Sequence, residues 1–394
     1  MSNGKVSNSA MVLMKYNPLG KTGIKVSEIG IGCEHLDGKN SDYVKAIMDE
    51  ALSQGINFFD MLNSDPVSRS NLGKAIEGRR DKVVIQGHIG STRKDGQYAM
   101  SRNLQECKIA FEDLLTRLQT TYIDLGMLHF IDDDEDFDNV FNGEIIEYAK
   151  ELKQKGIIKA IGMNTHITSI AKRAVETDII DVIMFSINPA FDLLPADMKL
   201  DDMFAAEKLD ASMHNHIDPE RVKLYRLCEQ NGVAITVMKT YMAGQLLDAE
   251  QSPFGLALTP AQCIHYCLTR PAVASVMLGC KDIDEIRQAA AYKTATDEEK
   301  DFSAVFKKTF TKEGKCVYCN HCLPCPAYID VAKVNKYLDL AQAYQEVPET
   351  VMGHYNALPN TAGDCIACGD CETRCPFAVE VRQRMWEAVT LFGK

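Results

Sequence analysis

Eight cysteines fall within the sixty residues from Cys316 to Cys375, in two runs: Cys316-x2-Cys319-x2-Cys322-x2-Cys325-Pro326 and Cys365-x2-Cys368-x2-Cys371-x3-Cys375-Pro376. Thiols this dense fix the backbone around whatever they hold. The other six cysteines are scattered over the first three hundred residues, so the composition changes abruptly near the charged stretch Thr294–Lys300. That break divides the 394 residues into two parts, 15–295 and 296–394, as the length also suggests. The first twenty residues show no sustained apolar region before a small-residue cleavage pattern. The expectation is a cytoplasmic protein whose thiols are reduced and hold metal rather than disulfides.

Which metal follows from spacing. Zinc sites pair two separated Cys-x-x-Cys knuckles, whereas here four cysteines crowd into ten residues. The second run is the bacterial ferredoxin pattern residue for residue, and the first is one residue shorter before its last cysteine. Two [4Fe–4S] clusters are therefore expected on Cys316, Cys319, Cys322, Cys325, Cys365, Cys368, Cys371 and Cys375, with zinc and disulfides as the competing readings. Three cysteines at spacing three cover three irons, and in two-cluster ferredoxins the cysteine before Pro ligates the other cluster. Carried over, Cys375 joins the first run and Cys325 the second. Such a protein suits an anaerobic setting. A net charge of −12 argues against nucleic-acid binding, and no apolar run is long enough for a membrane span.

The first 290 residues alternate short apolar runs with helical patterns. Strands are expected at Ser27–Gly32, Asn57–Phe59, Val83–Gln86, Ile123–Leu128, Ile158–Gly162, Asp181–Phe185, Val233–Val237 and Ser275–Leu278. Gln54-Gly55, Lys155-Gly156 and Asn231-Gly232 close helices just before strands. Eight such units predict an α/β fold, a (β/α)8 TIM barrel, followed by a small, mainly helical ferredoxin-like domain. A Rossmann sheet would need a third glycine that Gly30-Ile-Gly32-Cys-Glu-His35 lacks. The long stretch Asn188–Asp218 reads as a cap over the mouth, and Asp132–Asp136 as a solvated acidic loop.

Barrel chemistry sits at the C-terminal strand ends. This reading puts Cys33, Glu34, Asp60, His88, His129, Asn164, Asn188, Lys239, Cys280 and Lys281 there. Cys33 and Cys280 end adjoining strands, and a redox thiol pair competes there with two small buried residues. His214-Asn-His216 in the cap reads as an exposed pair without a role.

Several blocks resemble aldo/keto reductases: the opening Tyr16–Gly32, the second strand Gly55–Asp60, Asn71–Ile85, Tyr122–His129 and Ile161–Asn164. Val237-Met-Lys239 with Ala243-Gly244 and the cysteine-rich tail are similar to the iron–sulfur branch of that family. The resemblance implies a catalytic Asp60 and His129, with a tyrosine donating a proton to a carbonyl oxygen beside a lysine. At those last two positions this chain has Asp65 and His88. A carboxylate is a poor proton donor near neutral pH unless burial raises its pKa. The resemblance also implies a nicotinamide site, here represented by Asn164, Asn188 and Lys281, so NADP(H) remains an open alternative.

The leading expectation is an iron–sulfur oxidoreductase acting on a small polar organic substrate. Asp60, His88, His129, Lys239 and Asp65 supply acid–base groups, and electrons pass through two clusters from a redox partner such as a ferredoxin or flavodoxin. Three alternatives stand beside it: an NADPH-linked carbonyl reductase with an altered proton donor, a non-redox enzyme with a metal on Asp60, His88 and His129, and a decayed barrel left as an electron-transfer module.

Overall fold

The structure is a computed structural model that describes residues 13–204, 213, 216–305, 314, 316, 318, 320–342, 344, 346–375 and 377–394. A short hairpin, β1 (Tyr16–Pro18) and β2 (Lys25–Ser27), precedes the first barrel strand, β3 (Ile29–Gly32). The remaining barrel strands are β4 (Phe58–Met61), β5 (Val84–Ile89), β8 (Ile123–Leu128), β9 (Ile158–Thr165), β10 (Val182–Ser186), β11 (Ala234–Met238) and β12 (Val273–Gly279). A second hairpin, β6 (Ser91–Lys94) and β7 (Gln97–Met100), is inserted after β5. The eight parallel strands close in the order β3-β4-β5-β8-β9-β10-β11-β12, so all eight expected strands are present.

Alternation along each strand separates two cores. Phe58, Val84, Leu125, Met127, Ala160, Val182, Met184 and Ala234 pack together inside the barrel, with Leu19 and Val26 of the opening hairpin closing its bottom. Phe59, Met61, Ile85, Ile89 and Leu128 face the surrounding helices. The helices are α1 (Ser41–Ser53), α2 (Pro66–Ala75), α3 (Leu104–Arg117), α4 (Asp134–Phe141), α5 (Glu144–Gln154), α6 (Thr168–Glu176), α7 (Leu200–Met203), α8 (Pro219–Gln230), α9 (Pro260–Leu268) and α10 (Ile283–Ala290). Gly55, Gly156 and Gly232 take φ of 86°, 69° and 64°, the left-handed geometry their helix-closing role requires.

The stretch after β10 is anchored by a fully buried Asp192 and by Thr168, whose hydroxyl donates to the Ala196 carbonyl at 2.8 Å. His214 lies outside the described residues. The acidic run is solvated at Asp133, Asp134 and Glu135, as expected, but it opens a helix rather than forming a loop, and four of its carboxylates have partners. Asp133 caps α4, Asp132 binds His166, Asp136 binds Arg102 and Asp134 binds Arg173.

The C-terminal part is built on α11 (Val331–Gln342), α12 (Glu349–Asn356), α13 (Asp370–Thr373) and α14 (Val381–Phe392). Asp330 caps α11 through the Lys333 amide at 3.0 Å, and Val331, Val334, Leu338 and Ala341 enter its separate core. This part lies along the barrel flank. Within it Lys333 pairs with Asp297 at 2.9 Å, and against the barrel the Arg226 guanidinium of α8 stacks on Tyr344 and Thr350 bonds Glu229. Phe302 and Val305 pack with the barrel core. Among the described residues no helix is long and apolar enough to cross a membrane.

Candidate active site and cluster-binding cysteines

Strands β4, β5 and β8 are neighbours in the barrel, and Asp60, His88 and His129 share the inward parity of Phe58, Val84 and Met127. Their side chains therefore form a row at the mouth. His88 Nε2 lies 2.9 Å from Asp60 Oδ1, and His88 Nδ1 lies 2.9 Å from His129 Nδ1. His129 Nε2 meets the Tyr98 hydroxyl, 2.5 Å away. Burial, then the charges of His88 and Arg102, push His129 well below the usual histidine range, so its imidazole is neutral. Arg102 also fixes the loop behind it, donating to the His129 and Phe130 carbonyls at 2.8 and 2.9 Å.

Tyr98 was not among the residues the sequence singled out. Its signal was the dipeptide Asp95-Gly96 between two short alternating stretches, the mark of a two-residue hairpin. Asp95 and Gly96 adopt φ of 52° and 78°, and Tyr98 sits directly across from Arg93.

Asp65 holds a different role from that of a proton donor. It caps α2, accepting from the Ser68 amide at 2.8 Å, and pairs with Arg93 at 3.0 Å. Burial raises its pKa, but hydrogen bonds from Ser68 and the charge of Arg93 outweigh that and hold it below the usual carboxylate range. Asn188 is fully buried. Its amide donates to the Lys239 carbonyl at 2.9 Å and its oxygen accepts from the Phe191 amide at 2.8 Å, so both polar groups serve the loop. Asn164 stays in the row of inward residues, with its oxygen accepting from the Phe130 amide at 2.9 Å. Lys239 is half-buried with φ of 63°, and Lys281 is exposed at the rim. Cys33 and Cys280 are separate buried thiols, and burial pushes Cys280 up to about 12 and Cys33 higher still. Such thiols are unreactive.

Among the described residues no three His, Cys, Asp or Glu side chains converge as ligands of a single ion. Asp60, His88 and His129 form a line, with both His88 nitrogens directed at its neighbours. A facial metal site is therefore not what they build.

The cysteines instead surround two cavities. Cys325, Cys365, Cys368 and Cys371 line one, and Cys316, Cys322 and Cys375 line the other. Cys319 lies outside the described residues. Each cysteine before a proline thus sits with the opposite run, the grouping that crossed ligation requires. Tyr318, Asn320 and Ala367 take positive φ within the runs, and the Ala367 amide donates to Cys365 Sγ at 3.4 Å. A cubane keeps its ligand sulfurs further apart than a single ion does, so thiols lining a cavity fit it.

The parallel barrel, with Asp60, His88, His129 and Tyr98 in a row at its mouth, is joined in one chain to paired cysteine cavities, and the comparisons give the class: an oxidoreductase with iron–sulfur centres. Residues 28–257 match the family model "Aldo/keto reductase family", and the chain belongs to that family. Residues 315–380 match "4Fe-4S dicluster domain", so two [4Fe–4S] clusters are its cofactors. The uncharacterized oxidoreductase YqkF of Bacillus subtilis is 29% identical over 73% of this chain and 94% of its own length. The aldo-keto reductase YhdN of Bacillus subtilis is 32% identical over 38% of this chain and 47% of its own. Among solved structures, the holo form of aldo-keto reductase AKR11C1 from Bacillus halodurans is 26% identical, with a TM-score of 0.59. It covers 75% of this chain and 96% of its own.

Proposed function

We propose that this chain interconverts the carbonyl and hydroxyl forms of a small polar organic compound in the barrel mouth, drawing electrons singly from a ferredoxin- or flavodoxin-like partner. The observation that carries this is the joining, in one chain, of the Asp60–His88–His129 row to two cysteine-lined cavities. When bound, the clusters supply single electrons; Cys316, Cys319, Cys322 and Cys375 would hold one, and Cys325, Cys365, Cys368 and Cys371 the other. The protein's own contribution at the mouth is acid–base chemistry in a water-poor row of side chains. Asn164 lies in the same row, while Lys239 and Lys281 lie after β11 and β12.

A second reading, hydride transfer from NADPH, is favoured by one observation: a phenol touches His129 although the family's tyrosine position holds Asp65. The Bacillus halodurans relative was itself solved in a holo form.

One experiment separates the two. Protein prepared without oxygen, carrying about eight irons per chain, is reduced chemically and mixed with aldehydes, ketones and 1,2-dicarbonyls. The expected result is reoxidation of the clusters, seen by visible absorbance and electron paramagnetic resonance, in step with alcohol formation. Clusters that stay reduced while NADPH drives the same conversions would establish the second reading. Silence with both donors would end both.

A further inference from the structure

We propose that Tyr98, carried into the mouth by the hairpin β6–β7, is the acid that places the proton on the substrate oxygen. This rests on the reading of a carbonyl substrate given above. Exposure decides which group meets that oxygen. Asp60, His88 and His129 are 4%, 2% and 2% exposed, whereas Tyr98 is 54% exposed. Of these four residues only Tyr98 is exposed to solvent, and its hydroxyl, in a part-buried contact with His129, joins it to the others.

The hydrogen bonds admit two proton arrangements. In the first, the Tyr98 hydroxyl donates to His129 Nε2, His129 Nδ1–H donates to His88 Nδ1, and His88 Nε2–H donates to Asp60. The phenol hydrogen is then occupied. In the second, the row holds one more proton. His88 carries hydrogens on both nitrogens, His129 Nε2–H donates to the Tyr98 oxygen, and the phenol hydrogen is free for a substrate. Donation into its oxygen makes the phenol a better acid.

Reduction of a carbonyl to an alcohol consumes two electrons and two protons. The reductant is two equivalents of a low-potential one-electron donor, or one of reduced nicotinamide. The proton on carbon comes from water in the first case and with the hydride in the second. The proton on oxygen comes from Tyr98. Its O–H bond breaks, the product O–H forms, His129 Nε2–H passes to the phenolate, and His88 Nδ1–H passes to His129. The second arrangement has become the first, one proton poorer, and water restores it. Burial raises the Tyr98 pKa and Glu34 adds to that, while Arg102 opposes it, so the donated hydrogen bond from His129 works against the burial.

The hairpin is placed by the very position where the family's tyrosine would stand. Asp65 pairs with Arg93 at 3.0 Å, and Arg93 is the cross-strand neighbour of Tyr98. Ser91 Oγ donates to the Leu62 carbonyl at 2.6 Å, and Ser64 Oγ donates to that of Thr92. The loop after β4 carries no phenol of its own and instead holds the anchors for one from the next loop.

The test is Tyr98→Phe, which keeps the ring, beside Gln97→Ala on the same hairpin as a control. With whichever donor drives the unmodified protein, Tyr98→Phe is expected to lower kcat about a hundredfold or more while KM stays within about threefold. Gln97→Ala should change neither. A Tyr98→Phe kcat within about threefold of the unmodified protein overturns the assignment. If the unmodified protein reduces no carbonyl compound, the function proposed above fails, and nitrogen-15 resonances of the imidazoles decide this inference. A His129 Nε2 signal that moves on Tyr98→Phe supports the shared proton; one that stays put overturns it.

Discussion

Asp192 and Arg221 are both fully buried, and the carboxylate accepts from Arg221 Nε at 3.0 Å, from the Tyr266 hydroxyl at 2.8 Å and from the Tyr225 hydroxyl. Arg221 also donates to the Ser186 carbonyl, which ties α8 to the end of β10. A buried pair of this kind contributes little net energy, yet removing one partner strands the other charge in low dielectric. Asp192→Leu should therefore cost roughly 3 to 5 kcal/mol in urea unfolding, and adding Arg221→Met should recover much of that loss. A cost below about 1 kcal/mol would mean that the pair is solvated. None of this was legible in the sequence, where Asp192 is one acid in a long loop. Asn188 is ambiguous in the sequence for a related reason. A polar residue at a strand end is equally suited to ligand and to loop, and only the positions of the Lys239 carbonyl and Phe191 amide show which. Asp60, His88 and His129 were legible because strand parity fixes where they point.

The hairpin β6–β7 shows the same division for an element. The eight barrel strands were read close to their observed limits, because each is an apolar run set between helical patterns. The hairpin is polar, exposed over much of its length and only four residues a side, so periodicity says little about it. Asp95-Gly96 was its one strong mark. Both residues have positive φ, and nothing lies within 4 Å of where a Cβ on Gly96 would stand, so a substitution there strains backbone without causing a clash. Gly96→Ala should cost about 1 kcal/mol, read as roughly fivefold faster amide exchange across the hairpin. The melting temperature of the barrel should be unchanged. Equal exchange rates in the two proteins would show that the anchors at Ser91, Ser64 and Arg93 hold the hairpin without its turn.

At the scale of the whole chain, the cysteine runs and the break in composition made the two-part organisation readable, whereas the contacts that join the parts were not. Those contacts are particular pairings of ordinary surface residues, and no periodicity marks them. One joint residue is His265 on α9, hydrogen-bonded to the Tyr292 hydroxyl at 3.1 Å and in ring contact with Phe302. The Lys336 ammonium of α11 lies 5.6 Å from the Phe302 ring. Burial, then the charges of Lys336 and Lys300, lower the His265 pKa to about 3. The folded protein therefore holds His265 neutral, while an unfolded chain protonates it near 6.5. Because the unfolded state binds more protons below that value, stability is complete above about pH 6.5 and falls as the pH drops toward 3. By about pH 5 the loss from this residue is about 2 kcal/mol. His129, also lowered, acts in the same direction. Replacing His265 by Asn keeps a polar atom for Tyr292 and removes the titration. The unmodified protein should lose more stability than His265→Asn between about pH 7.5 and about pH 5, by about 2 kcal/mol, in unfolding monitored without oxygen so that the clusters survive. Parallel curves for the two proteins would place the acid sensitivity elsewhere, with His129 next in line.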